Sequence, residues 1–201
     1  FKLHTIWFYL NWKNKTYLWK IKFKIGINLK KNVVLTGMMG VGKSTVGKNL
    51  AERLNYKFVD IDRLIEKIEG CSIKIIFKQK SEIYFRKLEK QVTLRELEKE
   101  NIVLALGGGA FLDKSVRQEI QKKSISFWLD TNLDILIKRL KKTNKRPLLY
   151  QKNLSQTVKK IYLDRKKTYS KANFKIKCDN IKTEKIVYEI IRHYENSWGK
   201  I

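Results

Sequence analysis

The feature that most constrains the fold of this chain is the glycine-rich segment 37–45, which reads GMMGVGKST. It follows the apolar run 33–36 and precedes a segment in which apolar residues recur at helical spacing. This is the G-x-x-x-x-G-K-[ST] pattern of a phosphate-binding loop, set between a strand and a helix as that loop requires. Glycines let backbone N–H groups turn inward around a phosphate, and the following helix directs its positive end at the anion. The segment therefore predicts a nucleoside triphosphate site.

Each part of this loop has an expected contact. Lys43 supplies a positive charge for the β- and γ-phosphates, and the hydroxyl of Ser44 is a ligand for Mg²⁺. The other loop residues that we expect to contact the nucleotide are Gly40, Val41, Gly42 and Thr45. The alternative is a glycine-rich turn that happens to contain a lysine, and it leaves the matching strand and helix unexplained.

The composition is strongly basic, with a formal net charge of +26 from 45 basic and 19 acidic residues. Such a charge is typical of nucleic-acid-binding proteins. However, 36 of the basic residues are lysines that are spread along the chain without a recognition motif, so we expect no nucleic-acid partner. The positive field would still attract ATP and anionic substrates. The nine arginines stand out against this background because arginine offers a planar, bidentate donor.

The length of 201 residues suits one domain with a full core. Cys71 and Cys178 do not form a disulfide framework, which favours a reducing, cytoplasmic location. Residues 1–31 hold three of the five tryptophans and eight lysines but no Asp, Glu, Arg or Ser. Their apolar run is too short for a membrane span and lacks the features of a signal or transit peptide. We expect an extension outside the fold, with a peripheral membrane anchor as the alternative.

Beyond residue 31, predicted strands alternate with predicted helices. The strands cover residues 33–36, 58–61, 102–106, 125–129 and 174–177. The helices cover residues 44–54, 81–100, 132–142, 155–167 and 183–194. The alternation predicts a three-layer α/β domain over residues 32–201, with a parallel five-stranded sheet and helices on both faces. Since ligands bind beyond the carboxyl ends of such strands, functional residues are expected just after each strand.

Candidate functional residues follow two of the predicted strands. Asp60 and Asp62 follow the second strand, where alternation along a strand directs both carboxylates to one face while Ile61 faces the core. One carboxylate then serves Mg²⁺ and the other acts as a base toward a hydroxyl, unless the pair is solvated or caps a helix. The glycine triplet 107–109 follows the third strand and presents bare amides to an anion or to sugar-like hydroxyls. A flexible hinge is the alternative there.

Two arginines have distinctive neighbours. Arg86 lies one helical turn from Glu89, where the alternative to a functional role is a surface ion pair of about 0.3–0.5 kcal/mol. Arg146 precedes Pro147, the only proline, within the basic segment 141–153. The proline biases Arg146 toward an extended conformation. The segment is typical of a mobile lid over a phosphate, with a solvated charge run as the alternative.

Taken together, these motifs resemble the shikimate kinase family of P-loop small-molecule kinases. The resemblance spans about residues 33–192 and rests on GMMGVGKST, Asp-Ile-Asp, E-x-x-F-R-x-x-E, Leu-Gly-Gly-Gly, Arg-Pro-Leu-Leu and Arg165-x-x-x-Tyr169. It implies transfer of the ATP γ-phosphate, with Mg²⁺, to the 3-hydroxyl of shikimate in the chorismate route to aromatic amino acids. We expect a cytoplasmic monomer that binds shikimate, with no nucleic acid and no stable membrane association.

The resemblance also implies roles for individual residues. Lys43, Asp62 and Arg146 take part in catalysis, where Asp62 orients or deprotonates the accepting hydroxyl and Arg146 steadies the transferring phosphoryl group. Ser44 and Asp60 organise Mg²⁺, Asp60 through water. Arg146 also contacts the nucleotide as the lid closes.

On the substrate side, the residues implied are Asp62, Arg86, Gly108, Gly109 and Arg165. The two arginines grip the shikimate carboxylate, and Arg139 matches a position that packs against the adenine. The chain departs from the family pattern in three places. Lys-Lys-Thr-Tyr follows Arg165 where a proline is frequent, Ala105 replaces a frequent serine, and residues 1–31 have no counterpart.

Other functions stay open at this stage. A related kinase, such as one acting on gluconate, shares the phosphate-binding loop and the lid but needs no Arg86 and Arg165 beside Asp62. A nucleic-acid-stimulated NTPase that uses residues 1–31 is the alternative from a different class. A binding protein that has lost catalysis is disfavoured by the full set of candidate residues.

Overall fold

The structure is a computed structural model that describes residues 31–141 and 153–197. The expected extension, except for Lys31, lies outside the described residues. The body of the expected lid, with Arg146 and Pro147, lies outside them as well. The lid and the extension therefore stay predictions.

A five-stranded parallel sheet forms the centre of the described chain, in the order β2-β3-β1-β4-β5. Its strands are β1 (Asn32–Thr36), β2 (Lys57–Asp60), β3 (Ile102–Ala105), β4 (Ser124–Asp130) and β5 (Phe174–Lys177). The register pairs Val34 with Leu104 on one side and with Ser126 on the other. Since every pair is parallel, all five carboxyl ends lie at one edge of the sheet, with β1 in the middle.

Within the described residues, seven α-helices flank the sheet. They are α1 (Lys43–Leu54), α2 (Ile61–Glu69), α3 (Ile73–Leu97), α4 (Lys114–Lys123), α5 (Leu133–Lys141), α6 (Leu154–Tyr169) and α7 (Thr183–Asn196). A 3₁₀ turn, Ala110–Leu112, follows β3. None of the helices in the two described ranges has the length and apolar character needed to cross a membrane.

The alternation of side chains along β1 divides the core into two layers. Val34 packs into a cluster with residues of α2 to α6, whereas Val33 and Leu35 pack into a second cluster with α1 and α7. All three valine and leucine side chains are fully buried, as expected for a central parallel strand. The predicted three-layer architecture is confirmed.

The segment between β2 and residue 81, for which the sequence predicted no regular structure, is largely helical. It forms α2 and the first part of α3. Ile61 and Ile65, one turn apart, are both fully buried, and Gly70 ends α2 with φ 66°. A nine-residue helix is too short for its periodicity to stand out from the sequence. The predicted helix start at residue 81 corresponds to a break inside α3, where Ser81 has φ 83° and ψ 162°.

Candidate active site

The phosphate-binding loop owes its shape to three glycines with left-handed backbone conformations. Gly37, Gly40 and Gly42 have φ values of 132°, 79° and 106°. Any other residue type is strained at such dihedrals. Gly42 precedes the first residue of α1, so the amino terminus of α1 opens directly onto the loop. The backbone of this loop therefore has the conformation that an anion site at a helix amino terminus requires.

Lys43 folds back across this loop. Its ammonium group donates hydrogen bonds to the carbonyl oxygens of Gly37 at 2.9 Å and Met38 at 3.0 Å. These contacts hold the positive charge on the inner side of the loop, next to the amino terminus of α1. Charge and backbone dipoles are thus directed at the same position, which suits a phosphate chain.

Ser44 and Asp60 meet beside the loop. The Ser44 hydroxyl donates to Asp60 Oδ2 at 2.5 Å, while Asp60 Oδ1 accepts the Arg63 amide at 3.3 Å. A cavity of about 170 Å³ opens here. Its walls are formed by Gly40, Gly42, Lys43, Ser44, Thr45, Asp60, Asp62, Ala105 and Leu106. The two aspartates therefore share one cavity with the loop, as predicted.

The way in which they come together differs from the prediction. β2 ends at Asp60, and Ile61 begins α2, so alternation along a strand does not place the carboxylates. Asp60 caps α2, and Asp62 lies in its first turn. The helix cap that the sequence left as an alternative is therefore real, and Asp60 combines it with its contact to Ser44.

The glycine triplet 107–109 is the point at which the other candidate residues converge. A Cβ atom on Gly107 would collide with Asp62 Oδ1 and Glu89 Oε1, and one on Gly109 would collide with the guanidinium of Arg86. At Gly108 a Cβ atom would lie 3.3 Å from Arg165 Nη1 and 3.7 Å from the Met39 amide nitrogen. The triplet is thus a crowded turn rather than a flexible hinge, and it touches the phosphate-binding loop.

Arg86 is held by two carboxylates. Its Nη1 donates to Glu89 Oε2 at 2.7 Å, and its Nη2 donates to Glu82 Oε1 at 3.0 Å. Burial disfavours the charged form of Arg86, but these ion pairs outweigh burial and raise its pKa. Glu89 is only 2% exposed, so the surface ion pair considered from the sequence is wrong.

Glu89 has an unusual environment for a carboxylate. Burial raises its pKa, Asp62 adds to that shift, and Arg86 and Arg165 oppose it. Glu89 Oε1, which faces Gly107 and Asp62, is buried and accepts no hydrogen bond from any described residue. Buried acceptors are rarely left unsatisfied, so the lack of a partner at this oxygen is unusual.

Arg165 and Tyr169 reach the triplet from α6. Arg165 Nη1 donates to the Gly108 carbonyl oxygen at 2.8 Å, and the Tyr169 hydroxyl donates to the same oxygen at 2.5 Å. α6 continues without interruption through residues 166–168, where the family pattern often has a proline, so Arg165 and Tyr169 lie on one helix. On the nucleotide side, Arg139 Nη1 donates to the Val41 carbonyl oxygen at 3.3 Å, which places Arg139 against the loop.

A larger cavity of about 570 Å³ lies between α5 and α6 at the ends of β4 and β5. Asp130, Tyr162, Lys177 and Asp179 are among its lining residues, and no candidate residue from the sequence is. The volume of a cavity therefore does not identify the candidate active site in this structure. The contacts of Asp62, Arg86 and Arg165 with the glycine triplet do.

Two residues of the candidate site were not assigned a role in the sequence analysis. Glu89 was noted only as a neighbour of Arg86, and Tyr169 only as part of a motif. The signal for Glu89 was its spacing, because it falls on the apolar stripe of Phe85 and Val92, and a carboxylate on a core-facing position needs a partner. No comparable signal in the sequence places the Tyr169 hydroxyl on Gly108.

Known proteins are similar to this chain over most of its length. A sequence model of shikimate kinase matches residues 39–195 of this chain. The chain belongs to the shikimate kinase family. It is therefore an ATP-using enzyme that phosphorylates shikimate, and the predicted function is confirmed.

Individual members of the family agree with this assignment. The shikimate kinase of Persephonella marina is 44% identical over 161 residues, which cover 80% of this chain and 97% of that protein. A solved shikimate kinase from Acinetobacter baumannii, in complex with shikimate, has a TM-score of 0.80 at 30% identity, covering 83% and 94% of the two chains. The Aquifex aeolicus shikimate kinase has a TM-score of 0.74 at 37% identity, covering 83% and 97%.

A gluconate kinase is also similar to this chain, but only at the level of the fold. A gluconokinase from Sinorhizobium meliloti has a TM-score of 0.53 at 18% identity, covering 85% of this chain and 97% of its own. Such a likeness shows a shared P-loop kinase fold and nothing about the acceptor.

Proposed function

We propose that this shikimate kinase carries out phosphoryl transfer between two groups of residues. The phosphate side consists of Gly40, Val41, Gly42, Lys43, Ser44, Thr45, Asp60 and Arg139. The acceptor side consists of Asp62, Arg86, Gly108, Gly109 and Arg165. The observation that carries the proposal is that arginines from two different helices converge on one glycine triplet beside Asp62.

On the phosphate side, Lys43 and the loop amides bind the β- and γ-phosphates of ATP. Arg139, which contacts the Val41 carbonyl, lies where it can pack against the adenine. We further propose that Arg146 reaches the γ-phosphate from segment 141–153. Alignment and charge neutralisation are what such a transfer needs most, because its transition state is loose and highly charged.

Ser44 is the proposed direct ligand of Mg²⁺, and Asp60 holds the ion through water. Their oxygen atoms lie 2.5 Å apart beside the loop, and hard oxygen donors are what Mg²⁺ prefers. In the part of the chain that the structure describes, no group of three or more His, Cys, Asp or Glu could hold a metal by itself. The pair therefore fits an ion that takes its remaining ligands from ATP and water. When bound, Mg²⁺ neutralises phosphate charge.

On the acceptor side, Arg86 and Arg165 bind the shikimate carboxylate, and the Gly108 and Gly109 backbone lies against the ring. Asp62 accepts the proton of the 3-hydroxyl as that oxygen bonds to the γ-phosphorus and ADP departs. Glu89 holds Arg86 in place. A polyhydroxylated carboxylate suits the two arginines and the neighbouring Asp62.

We also propose that residues 32–201 form the kinase domain and that the enzyme is a cytoplasmic monomer. Cys71 and Cys178 are both free, which supports a reducing compartment.

The experiment is a coupled ADP-release assay on the purified full chain, with shikimate and gluconate as competing acceptors. We expect ADP release that depends on shikimate, with shikimate 3-phosphate identified by mass, and no turnover of gluconate. Removal of Mg²⁺ with a chelator should abolish turnover.

The assay is repeated on residues 32–201 and with DNA or RNA added. We expect unchanged kinetics in both cases. Equal turnover of gluconate, or ATP hydrolysis that requires nucleic acid, would contradict the proposal. Loss of activity after deletion would instead contradict only the assignment of residues 1–31 to an extension outside the fold.

A further inference from the structure

Tyr169, the last residue of α6, makes a contact that the proposed mechanism does not use. Its side chain is fully buried, and its ring lies 6.1 Å from that of Trp128. Its hydroxyl donates a hydrogen bond of 2.5 Å to the carbonyl oxygen of Gly108. A buried phenol needs such a partner, but many backbone carbonyls could have served. The carbonyl oxygen that accepts this hydrogen bond belongs to Gly108, one of the proposed shikimate-binding residues.

The Gly108 carbonyl oxygen accepts two hydrogen bonds, one from Tyr169 and one from Arg165. A carbonyl oxygen has two lone pairs, so both are in use. Because the peptide group is planar, fixing this oxygen also fixes the direction of the Gly109 N–H group. A glycine turn has no Cβ atoms to restrain it, and this pair of donors supplies the restraint instead.

Arg165 and Tyr169 are four residues apart, so they lie on the same face of α6. Arg165 has five N–H donors in a rigid fork. One of them is placed on Gly108, which sets the direction of the others. Tyr169 holds the oxygen that anchors the fork, and burial of its ring leaves the phenol little freedom to move.

We propose that Tyr169 is a positioning residue of the acceptor side, which fixes the Gly108 peptide and, through it, the guanidinium of Arg165. It does not touch the substrate. The inference rests on the proposed function, in which Arg165 binds the shikimate carboxylate. Without this restraint, the Gly108 peptide rotates and the arginine loses its preset orientation, so shikimate binding weakens while ATP binding does not.

The chain offers a matched control in Tyr194 of α7. This tyrosine is 2% exposed, and its hydroxyl donates to the Lys31 carbonyl oxygen at 2.7 Å. It packs in the cluster of α1 and α7, on the opposite face of the sheet from Tyr169. The Tyr194 hydroxyl also lies 3.0 Å from the hydroxyl of Tyr56. Replacing either tyrosine by phenylalanine keeps the ring and removes a hydroxyl-to-carbonyl bond, and Tyr194→Phe removes the Tyr56 contact in addition. A merely structural role therefore predicts an effect at Tyr194 at least as large as that at Tyr169.

The experiment measures KM for shikimate, KM for ATP, kcat and thermal unfolding of the full chain with Tyr169→Phe and Tyr194→Phe. We expect Tyr169→Phe to raise the shikimate KM about tenfold, the usual effect of losing one orienting hydrogen bond. ATP KM and kcat should change by less than about twofold. Tyr194→Phe should lower the unfolding temperature at least as much as Tyr169→Phe and leave the shikimate KM unchanged.

A double-mutant cycle with Arg165→Lys tests whether Tyr169 acts through Arg165. If it does, Tyr169→Phe adds nothing to the shikimate KM of Arg165→Lys. The inference would be overturned if the effects of Tyr169→Phe and Arg165→Lys on the shikimate KM multiplied fully. It would also be overturned if Tyr169→Phe left the shikimate KM unchanged, or if Tyr194→Phe raised it equally. None of these outcomes would contradict the proposed function. An unchanged shikimate KM in Arg165→Lys would instead remove the proposed role of Arg165, and the inference with it.

Discussion

The phosphate side and the acceptor side of this kinase are built in different ways. Most of the phosphate side comes from the continuous segment 37–45, whose shape depends on glycines with positive φ. The acceptor side draws on α2, α3, the turn after β3 and α6, joined by side-chain hydrogen bonds. The first is therefore a property of local backbone conformation, and the second is a property of long-range packing.

The two sides also treat charge differently. On the phosphate side, Lys43 rests on backbone carbonyls and faces a helix amino terminus. On the acceptor side, Arg86 is paired with carboxylates, one of which is buried. Substitutions on the acceptor side should thus act on shikimate rather than on ATP. Four variants test this difference, in order of decreasing effect.

The largest effect is expected for Lys43→Ala on the phosphate side. Loss of the charge at the transferring phosphates should lower kcat/KM by about a thousandfold. Lys48→Ala removes an exposed lysine from the same helix and should have no effect. Steady-state kinetics with ATP as the varied substrate measure this loss of kcat/KM. If Lys43→Ala changed only the KM for shikimate, the phosphate side and the acceptor side would not act separately.

Asp62→Asn is the second test, and it addresses the boundary between the two sides. Without a base for the 3-hydroxyl, kcat should fall about a hundredfold while calorimetric ATP affinity is retained. Asp134 occupies the same first-turn position in α5 and is exposed, so Asp134→Asn controls for helix-terminus effects. A kcat near that of the wild type would remove Asp62 from the mechanism.

Arg86→Lys is the third test and concerns the acceptor side alone. Lysine keeps the charge but cannot reproduce the fork, so the shikimate KM should rise about tenfold or more with ATP KM unchanged. Arg95→Lys makes the same change at an exposed position of α3 and should be silent. An equal shikimate KM in the two variants contradicts the role of Arg86.

The smallest effect is expected in the pH dependence of stability. Burial raises the pKa of Glu89 in the folded protein above the ordinary value of 4.5, so the folded state binds this proton more tightly than the unfolded chain. Its contribution to stability is therefore greatest below pH 4.5 and is lost as the pH rises through the raised pKa.

Glu89→Gln should accordingly flatten the unfolding free energy, measured by urea denaturation, across this pH range. Glu96→Gln is the matched control, because Glu96 is equally buried on the same helix and pairs with Lys99. An identical pH dependence in Glu89→Gln and the wild type would show that titration of Glu89 does not cause the change in unfolding free energy with pH.

The sequence predicted the sheet and the helices that face it, because these depend on periodicity, and it named most residues of the candidate site, because these lie in motifs with fixed spacing. It did not predict α2, whose short stripe of Ile61 and Ile65 is too brief to recognise. The sequence predicted correctly that Asp60 and Asp62 lie close together beside the phosphate-binding loop, but it gave the wrong reason. The structure places them by a helix cap and the first turn of α2, and not by alternation along a strand.

By itself, the sequence determined that a glycine-rich loop with a lysine follows a buried strand, and that two aspartates and a glycine triplet follow two other strands. These features are local, so neighbouring residues suffice to specify them. Only the tertiary structure decided that Glu89 is buried with one free oxygen and that Tyr169 and Arg165 share the Gly108 carbonyl. Desolvation and hydrogen-bond partners depend on which distant segments pack together, and α3, α6 and the turn after β3 meet only in the folded chain.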